Sequence, residues 1–153
     1  MIRFIHAADV HLDSPLVGLE RYGDTPVEEI RGATRRACEN LVALAIKENA
    51  AFVILAGDLY SDPAAKKRGG FGDVAKVWEA FADRFAWVAG VAGNHDDVTA
   101  ISPLLRLHVL DGSIVELDGI RIGGVGGIIG AKGKKMRRPA EEFLALVDRV
   151  IDQ

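Results

Sequence analysis

The chain has 153 residues, of which 49% are hydrophobic and 27% charged, with a formal net charge of −3, as expected for one globular domain with a substantial core. No apolar run approaches the roughly 18 residues of a membrane span, the N-terminus lacks the pattern of a signal peptide, and Cys38 is the only cysteine. These features exclude a membrane span, an internal disulfide and a cysteine metal cluster, and they favour a cytoplasmic location. Because the net charge is negative, a nucleic-acid partner would have to be bound by local basic clusters or by metals.

Three apolar runs of strand length occur in the first hundred residues, at 3–8, 52–56 and 86–91. The first run is mostly apolar rather than alternating, which is typical of a strand covered on both faces. Helical patterns separate the three runs. The order β-α-β-α-β therefore predicts a parallel sheet with right-handed crossovers.

Two amphipathic helices are predicted between these strands. Thr25 can cap the first helix, Pro26 fits its first position, and Glu28 completes a capping box. Apolar residues then recur at helical spacing, and the helix should end near Asn49. The second helix carries its apolar residues on one face: Val74, Val77, Trp78, Phe81 and Phe85.

The pattern changes after the third strand. Two apolar runs flank an Asp-Gly pair at 118–119, which is a strong signal for a two-residue hairpin turn. A glycine-rich stretch at 123–130 follows, and tight strand packing accounts for its glycines better than a dinucleotide site. Pro139 opens a last helix, whose apolar side comprises Phe143, Leu144, Val147, Val150 and Ile151.

A basic run, residues 132–138, precedes that last helix. Such a run can contact DNA phosphates in a salt-dependent way. The negative net charge and the lack of an interleaved aromatic residue for base stacking favour a solvated loop instead.

Polar residues that can bind a metal follow each of the three strands. They are Asp9 and His11 after the first, Asp58 after the second, and Asn94, His95 and Asp96 after the third. Ligands bind at the carboxyl edge of an open α/β sheet, so we expect these side chains to meet there. Each motif alone is an ordinary turn signal, but independent turns would not be expected to place His and carboxylate groups at all three strand ends. The pattern predicts a site for two metals.

The predicted site suits the cleavage of phosphate esters. Asp9 and His11 alternate by two, which puts both side chains on one side of an extended segment. Asp58 is the candidate bridge, because one carboxylate can touch two ions with its two oxygens. Two divalent ions clamp the attacking and leaving oxygens of phosphoryl transfer. Oxygen ligands with one or two imidazoles suit Mn²⁺, Fe²⁺ or Zn²⁺, and Mn²⁺ is our first choice.

The motifs together resemble the first three motifs of the calcineurin-like metallophosphoesterases: Asp9-x-His11, Gly57-Asp58 and Gly93-Asn94-His95-Asp96. The wider segment 4–16 resembles one branch of that superfamily, the DNA-repair exonucleases of the SbcCD type and their bacterial relatives. The likeness extends from residue 2 to about residue 130. It implies a layered α/β/β/α sandwich, with 1–153 as the portion that carries the first three motifs and lacks the C-terminal part.

The resemblance also implies roles for individual residues. Asp9 and His11 would bind the first metal, Asp58 would bridge the two, and Asn94 would bind the second. His95 would lie by the leaving group, as a general acid or as a stabiliser of charge. Asp96 would hold His95 or shape the turn. The implied activity is phosphodiester hydrolysis of a DNA-exonuclease type, with DNA as a candidate substrate and an ATPase as a candidate partner.

The sequence departs from the family pattern in two respects. The family usually has two later motifs, a single His and then Gly-His-x-His, whereas this chain has four histidines and no Gly-His-x-His. The acid that often follows three residues after the second motif's Asp is replaced by Ser61, with Asp62 one position later, which weakens the case for an Asp62–His95 pair.

Two alternatives to an active enzyme therefore stay open. The first is a catalytically incomplete fragment of this fold that serves as a scaffold or binding module. The second is a phosphate-binding α/β domain with one structural metal. The sequence does not determine the oligomeric state.

Overall fold

Helices and strands alternate along the chain in a computed structural model that describes residues 2–14, 16, 18–24, 26–61, 72–101 and 106–153. The helices are α1 (Val27–Arg31), α2 (Ala33–Lys47), α3 (Ala75–Ala82) and α4 (Ala140–Ile151), with a 3-10 turn at Leu19–Arg21. The longer strands are β1 (Phe4–Ala8), β2 (Phe52–Ala56), β4 (Val88–Val91), β6 (Leu107–Val109), β7 (Ser113–Leu117) and β8 (Ile120–Gly124). The two-residue strands are β3 (Gly72–Asp73), β5 (Asp96–Asp97), β9 (Ile128–Ile129) and β10 (Arg137–Arg138).

The main sheet contains four parallel strands in the order β1-β2-β4-β6. The register places Ile5 opposite Val53 and Val53 opposite Val88. The predicted parallel sheet is therefore confirmed. Strand β6 adds a member that the sequence did not predict, because its three residues are too short a run to show a period.

The prediction that the first strand is covered on both faces is wrong. Strand β1 lies at the edge of the sheet and pairs with β2 alone among the described residues. Its residues alternate in exposure, with Ala7 buried and His6 and Ala8 exposed. Phe4 stacks on Phe52 of the neighbouring strand but is still 51% exposed. The face of β1 that carries Phe4, His6 and Ala8 is therefore exposed, and the covered face is the one that carries Ile5 and Ala7.

Helices α2 and α3 cover one face of the main sheet. The core between them includes Val53, Val88 and the fully buried Trp78, with Leu41 and Val42 of α2 packed against it. The first predicted helix is divided at Gly32, the residue type with the weakest helix propensity after proline. It ends at Lys47, two residues before the expected end at Asn49, which has φ of 50°. Thr25, the predicted cap, lies outside the described residues.

The hairpin β7–β8 covers the other face of the sheet. Asp118 and Gly119 have φ of 50° and 75°, which is the pair of positive angles that a type I′ turn requires. Ile120 and Ile122 of β8 pack against a small core centred on Trp87. The indole of Trp87 also donates a 2.8 Å hydrogen bond to Asp118. The Asp-Gly hairpin prediction is confirmed.

Helix α4 packs on the outer side of the hairpin. A side chain added at Gly123 would overlap Val150, and one at Gly112 would overlap Leu146, so the glycines let α4 approach the strands closely. The predicted apolar side is covered in part, since Leu144 and Ile151 remain 53% and 74% exposed. The described residues thus form four layers in the order helices, parallel sheet, hairpin and helix.

None of the helices in the described ranges combines the length and the apolar character needed to cross a lipid bilayer.

Candidate metal centre

Backbone hydrogen bonds join the loops that follow β1, β2 and β4. The amide of Asp9 donates to Gly57 O at 3.1 Å, and the amide of His11 donates to Asp58 O at 2.9 Å. The amide of Gly57 in turn donates to Val91 O at 3.0 Å. These bonds extend the register of the parallel sheet past the ends of the strands. They hold the polar residues of the first two loops side by side at the carboxyl edge.

The structure brings Asp9, His11 and Asp58 into one cluster. Each offers one ligand atom, and these atoms all lie within 4.8 Å of one another. Asp9 is exposed, while His11 and Asp58 are half-buried, so the cluster opens to solvent on the side of Asp9. Two carboxylates and an imidazole are a donor set that fits a divalent ion. Their role as ligands stays a prediction.

The backbone of these residues is not extended, which corrects the argument that alternation places Asp9 and His11 on one side. Asp9, His11 and Asp58 have φ of 50°, 46° and 48°, in the left-handed region that side chains rarely adopt. Each such residue costs about 1–3 kcal/mol, and the conformation persists only where the surroundings enforce it. Here the interloop hydrogen bonds enforce it, and the kinks aim the side chains at one point.

Two glycines allow the second and third loops to touch. A side chain at Gly93 would overlap the backbone nitrogen and the carboxylate of Asp58. A Cβ at Gly57 would lie 2.9 Å from the Cα of Gly93, and Gly57 itself has φ of 72°. The glycines of both motifs are therefore required by the close approach of one loop to the other.

The buried side chain of Asp96 connects the same two loops by hydrogen bonds. Its carboxylate is 1% exposed and accepts hydrogen bonds from the amides of Leu59 at 2.9 Å and Gly93 at 2.8 Å. Burial raises the pKa of the Asp96 carboxyl, although hydrogen bonds from the backbone of Gly93, Leu59 and Tyr60 act in the opposite direction. The sequence predicted that this residue shapes the turn or holds His95, and the contacts show it shaping the turn.

His95 lies directly beside the cluster. Its amide donates to Asp58 Oδ1 at 3.0 Å. Its ring centroid is 6.1 Å from that of His11, with the ring planes tilted by 56°. Asn94 is half-buried in the turn just before it. The structure therefore places the predicted catalytic residue at the edge of the predicted metal ligands, and Asp58 lies hydrogen-bonded to its backbone.

Ser61, which sequence reasoning noticed only as a missing acid, contacts one of the predicted metal ligands. Its buried hydroxyl lies 3.3 Å from His11 Nδ1. A hydrogen bond there fixes the ring and leaves Nε2 as the nitrogen free for a metal. Nothing local could have signalled this contact, because the two residues are 50 positions apart. Asp62, considered as a partner for His95, lies outside the described residues.

A second carboxylate anchors the far side of the third loop. Asp97 accepts hydrogen bonds from the hydroxyl of Thr99 at 2.6 Å and from Lys135 Nζ at 2.9 Å. Thr99 and Lys135 together lower the pKa of Asp97 to about 2. The loop that carries Asn94 and His95 is thus held at both ends by carboxylates, by Asp96 inside and by Asp97 at the surface.

Comparison with known proteins gives matches over most of the chain. The profile of the calcineurin-like phosphoesterase family matches residues 2–146. The chain is also 29% identical over 119 residues to YhaO of Bacillus subtilis (strain 168), an uncharacterized metallophosphoesterase. That similarity covers 75% of this chain and 29% of the relative, so the chain spans less than a third of the relative's length.

Proposed function

Because the chain belongs to the calcineurin-like phosphoesterase family, we propose that it hydrolyses phosphodiester bonds with the help of two divalent metal ions. The observation that carries this proposal is the cluster of Asp9, His11 and Asp58, whose ligand atoms lie within 4.8 Å of one another at the open edge of the sheet.

The residues present fit a metal. Asp9 and His11 would hold one ion, Asp58 would be shared, and Asn94 would contribute to the second. Divalent ions, when bound, polarise phosphoryl oxygens and lower the pKa of water. Mn²⁺ is the ion we propose first, with Fe²⁺ and Zn²⁺ as alternatives of similar ligand preference.

His95 is the proposed catalytic residue. The bond from its amide to Asp58, and the bond from the Gly93 amide to Asp96 in the same turn, support this role because they keep His95 next to the proposed metal ligands. A histidine there can give a proton to the leaving oxygen or stabilise its charge. Such a contribution is worth about 10²–10⁴-fold in rate.

The finer parts of the proposal rest on sequence resemblance. Segment 4–16 supports a DNA-exonuclease-like substrate and, with it, an ATPase partner. A cytoplasmic location is the corresponding proposal for the compartment.

One observation favours a second candidate function, a binding or scaffold module without turnover. Within the described ranges, Asp9, His11 and Asp58 are the one group of three or more His, Cys, Asp or Glu residues placed to hold a metal. The second ion would then depend on Asn94 and the shared carboxylate, which is a weak site. A module of this kind would bind one ion and a phosphate group without cleaving it.

The test is Mn²⁺-dependent hydrolysis of bis-p-nitrophenyl phosphate, with Mn²⁺ binding followed by calorimetry. We expect Asp58→Asn to abolish both, and His95→Gln to lower kcat by about 10²–10⁴-fold while Mn²⁺ still binds. Asp83→Asn, an exposed carboxylate at the opposite end of the strands, is the matched control and should change neither.

The outcomes separate the candidates. A folded chain that binds Mn²⁺ without turnover would support the binding module. A folded chain that binds no Mn²⁺ would contradict both functions.

A further inference from the structure

Residues 132–138, which we name the basic loop, are anchored beside the strand end that delivers Asn94 and His95. The loop ends in β10, which pairs in parallel with β9. Just before β9, the amide of Gly127 donates a 2.7 Å hydrogen bond to the carbonyl of Ala92. Ala92 precedes Asn94 by two residues. The base of the basic loop is therefore attached to the metal-centre edge of the fold.

A side chain of the loop makes a second attachment at the same edge. Lys135 Nζ lies 2.9 Å from Asp97 Oδ2. Asp97 follows His95 by two residues, so their Cα atoms are at most about 7 Å apart. The loop residues are mostly exposed, as the sequence predicted, but the loop is also attached to this edge of the fold at its base and its middle.

The charges of the basic loop are not all neutralised. It has five cationic side chains. Three of them form ion pairs within the chain: Lys132 with Glu142, Lys135 with Asp97, and Arg138 with Asp111. The other two, Lys134 and Arg137, are exposed, and their side chains form no ion pair or hydrogen bond with the described residues. Two free cations thus remain on a fixed loop beside the site.

We propose that Lys134 and Arg137 bind backbone phosphates of a nucleic-acid strand that extends from the metal centre across the basic loop. Ammonium and guanidinium groups are the usual protein contacts to backbone phosphate. A nucleic-acid strand presents a phosphate at every nucleotide, so a single strand can offer one phosphate to the metal centre and others to the two cations. This inference rests on the proposed function, since it extends the same site.

The contact should be independent of base sequence. No aromatic residue lies within 132–138 on which a base could stack. Contacts to phosphate fix the position of a strand but do not read its bases. The chain's net charge is −3, so the attraction is local to this loop rather than a property of the whole surface.

The test measures binding without turnover. A labelled single-stranded oligonucleotide of mixed sequence is titrated with the chain in EDTA, and fluorescence anisotropy is recorded at several salt concentrations. The variant is Lys134→Gln with Arg137→Gln. The matched control is Lys47→Gln with Arg84→Gln, one Lys and one Arg that are exposed at the helix ends leading into β2 and β4, opposite the metal centre.

We expect wild type and the control to bind alike, with affinity falling as salt rises. Loss of two phosphate contacts to a single strand should make the slope of log K against log salt about 1.4 shallower. Equal binding by wild type and the Lys134/Arg137 variant would overturn the proposal. So would an equal loss in the control, or equal competition by polyglutamate, which would point to an acidic protein partner.

The same measurements keep this inference apart from the proposed function. Failure to hydrolyse bis-p-nitrophenyl phosphate would count against the enzyme, while oligonucleotide binding through Lys134 and Arg137 would still be seen in EDTA. Hydrolysis of the small substrate without oligonucleotide binding would overturn the inference and leave the enzyme in place.

Discussion

The carboxylate of Asp58 occupies the space that a side chain at position 93 would need, so its position depends on residue 93 being glycine. The third loop would have to move if Gly93 carried a Cβ, because that atom would overlap Asp58. The amide of His95, two residues later, donates to the same carboxylate. The loop positions, rather than the ligands alone, therefore determine the geometry of the cluster.

Gly93→Ala should weaken both the fold and the site. Overpacking of a fixed contact typically costs about 1–3 kcal/mol in the free energy of unfolding. We also expect weaker Mn²⁺ binding, because Asp58 would be displaced from Asp9 and His11. Urea unfolding and calorimetry measure the two effects. Gly23→Ala is the control, since a Cβ there meets no atom within 4 Å. Unchanged Mn²⁺ affinity in a folded Gly93→Ala variant would contradict the argument.

Asp97 gives a prediction about pH. Thr99 and Lys135 lower the pKa of Asp97 to about 2, below the 3.8 of the free side chain. A carboxyl group whose pKa is lower in the folded than in the unfolded protein stabilises the folded state at pH values above its unfolded-state pKa. That stabilisation is lost as the pH falls through the folded-state pKa. Asp97→Asn should therefore be less stable than wild type at pH 6, by less than about 1 kcal/mol because the pair is exposed.

The difference between Asp97→Asn and wild type should narrow as the pH falls from about 4 to 2. Thermal unfolding midpoints across this range measure it, with Asp83→Asn as a control for the loss of one surface charge. A difference that is the same at pH 6 and pH 2 would show that the Asp97 carboxylate does not contribute through its charge.

At the scale of elements, α4 depends on two glycines of the strands beneath it. Gly123 lies on the outer side of β8, where a side chain would overlap Val150. Ile122, the residue before it, packs inward against the small core with Trp87. Successive residues of a strand point to opposite faces, so Ile122 packs inward while Gly123 faces outward. Val150 of α4 occupies the space that a side chain at Gly123 would fill.

A double-mutant cycle tests this packing. Gly123→Ala should destabilise the fold by about 1–3 kcal/mol, because the methyl group meets Val150. Val150→Ala makes room, so the double variant should be more stable than the sum of the two single changes predicts. Urea unfolding gives all four free energies. Additive changes in the free energy of unfolding would mean that residue 123 and Val150 do not contact each other, which would contradict this packing.

Comparison of the predicted and observed elements shows which local sequence signals are sufficient to predict a helix, a strand or a turn. Asp118 and Gly119 define a turn whose angles follow from the residue types, and the hairpin is found as predicted. The first helix was predicted as one piece, but a glycine at position 32 divides it into α1 and α2. The sheet gains β6, whose three residues carry too little pattern to be recognised in the sequence.

At the scale of the whole molecule, one parallel sheet presents three polar loops at one edge. The sheet order β1-β2-β4 places the first three motifs on neighbouring strands. Helices α2 and α3 lie on one face and the hairpin with α4 on the other. Core residues thus pack against both faces of the sheet, and the polar residues beyond its carboxyl ends extend from this packed support.

The sequence by itself determined the order of helices and strands, the hairpin turn, and the residues that gather at the carboxyl edge. Periodicity, turn residues and strand ends are local properties, and Asp9, His11 and Asp58 all lie in the short loops that follow β1 and β2. The tertiary structure decided the rest. It set the left-handed backbone of the three clustered residues, the contact of Ser61 with His11, the exposure of β1 and the attachment of the basic loop. Those features depend on contacts between residues about 40 or 50 positions apart, such as Lys135 with Asp97 and Ser61 with His11, which no local pattern records.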